Sequence, residues 1–295
     1  MPTNSLNVII VARDQSERVQ RAQRSLCELL EDHPSIQVVG VLSASDDEFT
    51  DITADIALVL GGDGAILRAC RWFGLKQIPI LGINMGRLGF LADIAQDDVV
   101  ELVEDLAQRK FEVVSHLMFE CVHHRANGSS ERYLGLNETA LLAGASLSLF
   151  DVELKINGRP VTTFSGDGLI ISTPVGSTAH NLSAGGPILR QDLRAFVVTP
   201  ICPHTLTVRP IVDRADAEYV LTAPAVPEGI MLVVDGQIKV PFESGDQVTI
   251  RQADVSFLLV RIQGHNFYQT LNRKLGWDGQ PRYQRNRIVR DSADE

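Results

Sequence analysis

The sequence predicts an α/β N-terminal domain, a parallel sheet with helices, followed by a mainly antiparallel β-sandwich C-terminal domain. Three observations carry this. Between residues 7 and 109 short β-branched runs alternate with amphipathic stretches, which is the grammar of a parallel sheet covered by helices. Beyond about residue 111 strands follow one another without long helices, separated by turn signals such as Asn157-Gly158, Asp235-Gly236 and Ser244-Gly245-Asp246. A chain of 295 residues, 44% of them hydrophobic, is long enough for two domains with a sizeable core.

Taken in order, Asn7 to Ala12 reads as a strand, and Val19, Leu26, Leu29 and Leu30 put one apolar face on a helix over 14–32. Ile36 to Leu42, Asp55 to Leu60 and Ile78 to Ile83 are further strands. A helix follows Gly61-Gly62-Asp63-Gly64, and another covers 97–109. The second half is read as strands at Phe111 to Val122, Arg132 to Leu142, Leu149 to Ile156, Leu169 to Ser172, Phe196 to Thr199, Tyr219 to Thr222, Met231 to Val234, Val248 to Arg251 and Phe257 to Val260. Arg125 to Ser130 is the expected exposed loop. The domains are placed at 1–115, 116–270 and a C-terminal segment 271–295 that packs back on the first domain and frays at its end.

The net charge of -10 argues against a broad nucleic-acid surface, which demands clustered Lys and Arg. Cys27, Cys70, Cys121 and Cys202 are scattered without a C-x-x-C pair, so they read as reduced thiols and not as a zinc site or a disulfide framework. Met1 to Asn7 lacks the pattern of a secretory signal, and no apolar run approaches the ~20 residues that span a bilayer. The protein is expected to be cytoplasmic, with no nucleic-acid or membrane partner.

Gly61-Gly62-Asp63-Gly64 ends a buried strand and opens a helix, so its backbone N–H groups and the positive helix end favour a phosphate. It is not a Walker A loop, because no G-K-[ST] follows, nor a dinucleotide fingerprint, because G-x-G-x-x-G is absent. A carboxylate there has three possible duties: to hold Mg²⁺, to accept a proton or to brace the turn. The densest signal is Asp167 to Pro187, where a buried strand runs into small hydroxyls, glycines and prolines that let a ligand approach.

Together with Asn137-Glu138 and Thr199-Pro200-Ile201-Cys202-Pro203-His204, these stretches resemble the NAD kinase family over roughly residues 5 to 280. The resemblance implies phosphoryl transfer from ATP, or from polyphosphate in some members, to the adenosine-ribose 2′-hydroxyl of NAD. It implies Mg²⁺ as the divalent cation and a homodimer or homotetramer. Carried over, Asp63 is the catalytic base, and Gly64 and Arg68 face the ligand. Asn137 and Glu138 meet ribose hydroxyls, Asp167 lies on the nicotinamide side, Thr178, Ala179, His180, Asn181, Leu182 and Ser183 wrap the dinucleotide, and Gln237 is a further contact. The metal ligands are not specified by any local pattern.

An Asp with an ordinary pKa of ~3.9 is a weak base at neutral pH. Phosphoryl transfer tolerates this, since positioning and charge neutralisation dominate it. The chain departs from the family pattern at Ala65, where Thr is common, at Val175 and His180, where Thr and Tyr are common, and at Ser165-Gly166, which carry no basic side chain. The alternatives are a lipid or sphingoid kinase built on the same glycine loop, or a dinucleotide-binding regulator without catalysis.

Overall fold

The computed structural model describes residues 5–43, 52–86, 89–92, 94–144, 149–262 and 267–277. The first half runs β1 (Leu6–Ala12), α1 (Glu17–Glu31), β2 (Ile36–Ser43), β3 (Ile56–Leu60), α2 (Asp63–Phe73), β4 (Ile80–Asn84), the short β5 (Ile94–Ala95) and α3 (Val99–Ala107). The second half contributes β6 (Phe111–His124), β7 (Ser130–Gly135), β8 (Glu138–Leu142), β9 (Phe150–Ile156), β10 (Arg159–Gly166) and β11 (Gly168–Ser172), then α4 (His180–Ser183). After it come β12 (Ala195–Ile201), β13 (Ile211–Arg214), β14 (Tyr219–Thr222), β15 (Met231–Val234), β16 (Ile238–Pro241) and β17 (Gln247–Ile262). The last described element is α5 (Phe267–Leu275).

Strands β1 to β4 pair in parallel in the order β2-β1-β3-β4. Side chains alternate across a strand, and β1 shows why both faces need helices. Leu6, Val8 and Ile10 join a core with Leu26 and Leu30 of α1 and Leu102 and Leu106 of α3, whereas Ile9 and Val11 join one with Ile66, Ala69 and Phe73 of α2. Because β2 and β3 lie on opposite sides of β1, the order in which strands are added to the sheet reverses there, and the loops at the carboxyl ends border a crevice.

β17 extends the sheet: it pairs with β4 in parallel and with β6 and β14 antiparallel, so one sheet runs through both halves of the sequence. A separate six-stranded antiparallel sheet has the order β13-β12-β11-β8-β15-β16. The two pack face to face through Phe119, Val152, Tyr219 and Ile250 on one side and Leu141, Ile171, Phe196 and Leu232 on the other. That is the expected sandwich.

Several strand boundaries differ from the sequence reading. Arg132 to Leu142 is not one strand: the ladder breaks at Leu136-Asn137, whose N–H groups turn to the side chain of Asp235. Conversely, Val248 to Arg251 and Phe257 to Val260 are parts of the continuous β17, joined across a register shift between Gln252 and Ser256. β10, β13 and β16 were not anticipated, because their outward residues are polar or exposed and mask the alternation. The four cysteines are free thiols.

The described part of the second unit, which begins after Gln263, is α5 with Arg273 and Lys274 in its last turn, charges suited to a helix C-terminus. The expectation for 271–295 falls mostly on residues outside the described ones. No helix among the described residues is long and apolar enough to cross a membrane.

Candidate active site

β3 is buried along its whole length and delivers the glycine loop to the crevice. The loop is tied down by hydrogen bonds to its neighbours, Arg13 N–H to Leu60 C=O at 3.1 Å and Gly61 N–H to Ile83 C=O at 3.0 Å. α2 starts at Asp63 itself. Its carboxylate accepts three backbone N–H groups, from Phe90 on Oδ2 at 2.8 Å and from Leu91 and Ala92 on Oδ1 at 3.0 Å each. A carboxylate offers about four lone-pair sites, so Oδ2 keeps one for a hydroxyl. Asp63 therefore braces the 89–92 turn and still presents one oxygen.

The loop meets the second half of the chain through the β15–β16 turn. Asp235 and Gly236 hold φ of +51° and +67° at the centre of a tight turn closed by the Gln237 N–H on the Val234 carbonyl at 3.0 Å. Asp235 is buried and gathers the N–H groups of Leu136 and Asn137, the latter at 2.7 Å, and Arg71 Nη1 at 3.0 Å. Burial pushes its carboxyl upward, and the Arg71 guanidinium and these N–H groups oppose that. Arg71 Nη2 also donates to Oε1 of Gln237, whose Nε2 donates to the Gly64 carbonyl at 2.9 Å. Gly64, Gln237, Asn137 and Glu138 are thereby brought into one cluster.

Glu138 opens β8 and is 4% exposed. Its Oε2 has no protein partner, and burial, followed by the nearby Asp235 charge, pushes its pKa to about 8. The backbone N–H of His180 points at the same carboxyl and pulls the other way. The His180 ring is half-buried, and desolvation lowers its pKa, which favours neutral imidazole.

The 173–189 segment is held by its own small side chains. Thr173 Oγ1 donates to the Leu136 carbonyl at 2.5 Å and accepts the Gly176 N–H at 3.1 Å. Gly176 lies on the Asn137 carbonyl, where a Cβ would overlap it. Ser177 Oγ donates to the Pro174 carbonyl at 2.6 Å, and Thr178 Oγ1 to that of Val175 at 3.2 Å. Asn181 is fully buried: Nδ2 donates to the carbonyls of Ser177 and Pro187, and Oδ1 accepts from Thr199 Oγ1 at 2.6 Å. Val175 packs in the core that contains Ala65, Ile66 and Cys70, which sets this segment beside α2.

Ala179 and Leu182 are partly buried, while Ser183 and Arg68 are exposed. Asp167 is exposed and precedes β11, while Ser172 at the other end of that strand pairs with Glu138. At ~3.4 Å per residue this separates Asp167 from Glu138 by about 17 Å, so the cluster around Glu138 does not include it. The thiol of Cys202 hydrogen-bonds the Asp167 carboxylate, which pushes the thiol pKa up.

Outside the cluster, His123 is buried against Asp246 at 2.8 Å, and His116 Nδ1 meets the Gln191 carbonyl at 3.2 Å. Both hold neighbouring segments in place and lie outside the cluster. Sequence reasoning missed Arg71 and treated Asp235 as a turn residue. A usable signal existed for Arg71: it lies seven residues beyond Gly64, about two helical turns on and on the same face. Asp235 had none, because its partners Leu136 and Asn137 are about a hundred residues away.

Among the described residues no group of three or more His, Cys, Asp or Glu side chains is arranged to hold a metal ion. Asp63 and Asp235 direct their oxygens to N–H donors and Arg71. The residues present do not fit a protein cage for a metal.

The glycine loop that opens α2 with Asp63 is tied through Gln237 and Arg71 to the buried Asp235, which lies beside the buried Glu138, and the relatives that share this arrangement are phosphotransferases acting on a hydroxyl group. The chain matches the ATP-NAD kinase N-terminal domain over residues 41–111 and the ATP-NAD kinase C-terminal domain over 136–262. It is 46% identical over 250 residues to the NAD kinase of Rhodopirellula baltica, covering 83% of this chain and 80% of that one. With the NAD kinase of Geotalea daltonii the identity is 39% over 254 residues, 86% of this chain and 89% of the other.

Two solved structures share the fold. Yeast NADH kinase complexed with NADH superposes with a TM-score of 0.85 at 22% identity, covering 96% of this chain and 90% of its own. An NAD kinase from Archaeoglobus fulgidus in complex with ATP gives 0.71 at 27%, covering 93% and 100%. The chain belongs to the NAD kinase family, and its activity is phosphoryl transfer to a hydroxyl group of NAD.

Proposed function

We propose that the acceptor is the adenosine-ribose 2′-hydroxyl, the product NADP and the donor ATP, with Asp63 at the point of transfer. One observation carries this reading: the first turn of α2 and the Asn137-Glu138 step are linked through Arg71, Gln237 and Asp235, so a ribose held by one faces the other. Asp63 accepts the attacking hydroxyl on its remaining Oδ2 site and orients it. Full deprotonation before attack is unnecessary in a loose transition state. The proton passes to Asp63 or solvent as the new P–O bond forms and the bond from the γ-phosphorus to the β,γ-bridging oxygen breaks, releasing ADP.

Glu138 with Asn137 positions the ribose. Near neutral pH Glu138 retains a proton, so it donates as well as accepts a hydrogen bond to a sugar hydroxyl. Gly64 lines the same ribose, Gln237 and Arg68 border it, and the backbone and short side chains of 178–183 wrap the dinucleotide. Asp167 serves the distal, nicotinamide side, which suits its place at the far end of β11. Mg²⁺ carried by the donor's phosphates would neutralise their charge, with no ligand required from the residues of this cluster. Polyphosphate is the alternative donor. The active species is a cytoplasmic homodimer or homotetramer.

The test is incubation of the purified protein with NAD, ATP and Mg²⁺, with the product resolved from its 3′-phosphate isomer by phosphorus NMR. NADP with the phosphate on the 2′ position is expected. Failure to form it with NAD or NADH, and with ATP or polyphosphate, overturns the reading. Phosphorylation of a lipid in its place supports a sphingoid or lipid kinase, and NAD binding without product supports a silent regulator.

A further inference from the structure

α2 carries Asp63 at its first position, and the dinucleotide-side residues Asn137 and Glu138 sit where the β7–β8 ladder breaks. These segments come from opposite halves of the sequence, yet the chemistry needs their spacing fixed to within fractions of an ångström. Among the described residues one side chain contacts the partners of both. Arg71 Nη1 holds Asp235, whose Oδ1 receives the Asn137 N–H at 2.7 Å, and Arg71 Nη2 holds Gln237, whose amide holds the Gly64 carbonyl at 2.9 Å. The Arg71 side chain is 15% exposed and that of Asp235 is not exposed at all.

We infer that Arg71 is a positioning residue for the transfer, acting through Gln237 on the Gly64 end of α2 and through Asp235 on the Asn137-Glu138 step. The planar guanidinium suits this duty, because it directs donors along two fixed lines at once. An ammonium has three donors but no planar fork and sits on a shorter stem, so it is expected to keep the buried Asp235 and lose Gln237. The inference rests on the NAD kinase reading for its kinetic consequence, while its geometric consequence is independent of any substrate.

Two variants separate the strut from a general packing role. Arg71→Lys keeps a cation beside the buried Asp235, so the fold stays intact, but frees Gln237. Gln237→Ala leaves the Arg71–Asp235 pair untouched and frees Gly64. Each is expected to lower kcat by about 10- to 100-fold, as a small misplacement of reacting groups does, with KM for NAD changed less than about threefold in Arg71→Lys. The double variant is expected to lose no more than the worse single one, because both substitutions cut the same chain of contacts.

Hydrogen exchange read by mass spectrometry supplies the readout that needs no activity. Amides of residues 61–66 are expected to exchange about tenfold faster in both variants, while β12 and β17 keep wild-type protection. Unchanged exchange at 61–66 overturns the strut even if the wild type proves inactive on NAD. Losses in kcat that multiply in the double variant, or an Arg71→Lys enzyme with full kcat, overturn it in an active one. Absence of NADP formation by the wild type, with exchange accelerated as stated, overturns the functional reading alone.

Discussion

Asp63 and Gly89 touch so closely that no side chain fits between them: a Cβ built on Gly89 would overlap Asp63 Oδ1. The same carboxylate receives the N–H groups of Phe90, Leu91 and Ala92, so the turn after β4 is shaped around the acidic group at the head of α2. Gly89→Ala is therefore expected to displace the Asp63 carboxylate. Thermal denaturation should report a loss of about 1–3 kcal/mol, and kcat should fall more than that loss explains. A Gly89→Ala enzyme with wild-type kcat contradicts this coupling.

Asp63→Asn preserves shape but turns an amide N–H₂ toward one of the three N–H donors and removes the acceptor on Oδ2. Turnover is expected to drop by about 10²–10⁴-fold. The NAD affinity measured by calorimetry is expected to change only a few-fold, and parallel losses in both would assign Asp63 to bracing alone.

Glu138 gives the protein a pH dependence of definite sign. Its carboxyl titrates near pH 8 in the folded chain and near the ordinary value, ~4.3, when unfolded. Between those values the native state binds the extra proton, so stability from this group is present at low pH and is lost as pH rises toward 8. Glu138→Gln removes the titration. Its melting temperature should equal or fall below that of the wild type at pH 5 and exceed it at pH 8.5, the relative gain being on the order of a few kcal/mol. Melting curves that run parallel across this range would remove the raised pKa from the account.

Asn181 tests whether the 173–189 segment is shaped from within. Its amide donates to two carbonyls and accepts one hydroxyl. Aspartate has no donor to offer the carbonyls, so Asn181→Asp should cost as much as Asn181→Ala, about 1–3 kcal/mol in urea titrations. KM for NAD should rise in both. A tolerated aspartate would mean that the segment is held by other contacts.

Asp246 supplies a control away from the cluster. It accepts His123 Nε2–H and the N–H groups of Ala126 and Glu243, and burial keeps the imidazole neutral by lowering its pKa. Asp246→Asn is expected to cost about 1–3 kcal/mol of stability while kcat and KM of the folded enzyme stay at wild-type values.

Much of the site was legible because local physics determines it. The glycine loop after a buried strand follows from backbone freedom and helix polarity, and the run of small hydroxyls from 172 to 183 follows from segments that must hydrogen-bond to themselves. Asn137-Glu138 was legible only by family resemblance. As an isolated dipeptide it reads as a solvated strand, whereas Glu138 is in fact buried with an oxygen left free. Arg71 and Asp235 escaped because each had an ordinary local explanation, an amphipathic helix residue and a hairpin turn, while their partners lie far away in the chain.

The sequence by itself determined the two kinds of architecture, since the period of its apolar residues and its turn chemistry act over a few neighbours. It also determined that Asp63 would stand at a helix start. Only the tertiary structure decided that β17 would join both halves in one sheet, that the ladder would break at Asn137, and that one guanidinium would serve Asp235 and Gln237 together. Those outcomes depend on which unpaired N–H groups and charges are buried side by side, and burial of that kind exists only once distant segments have packed.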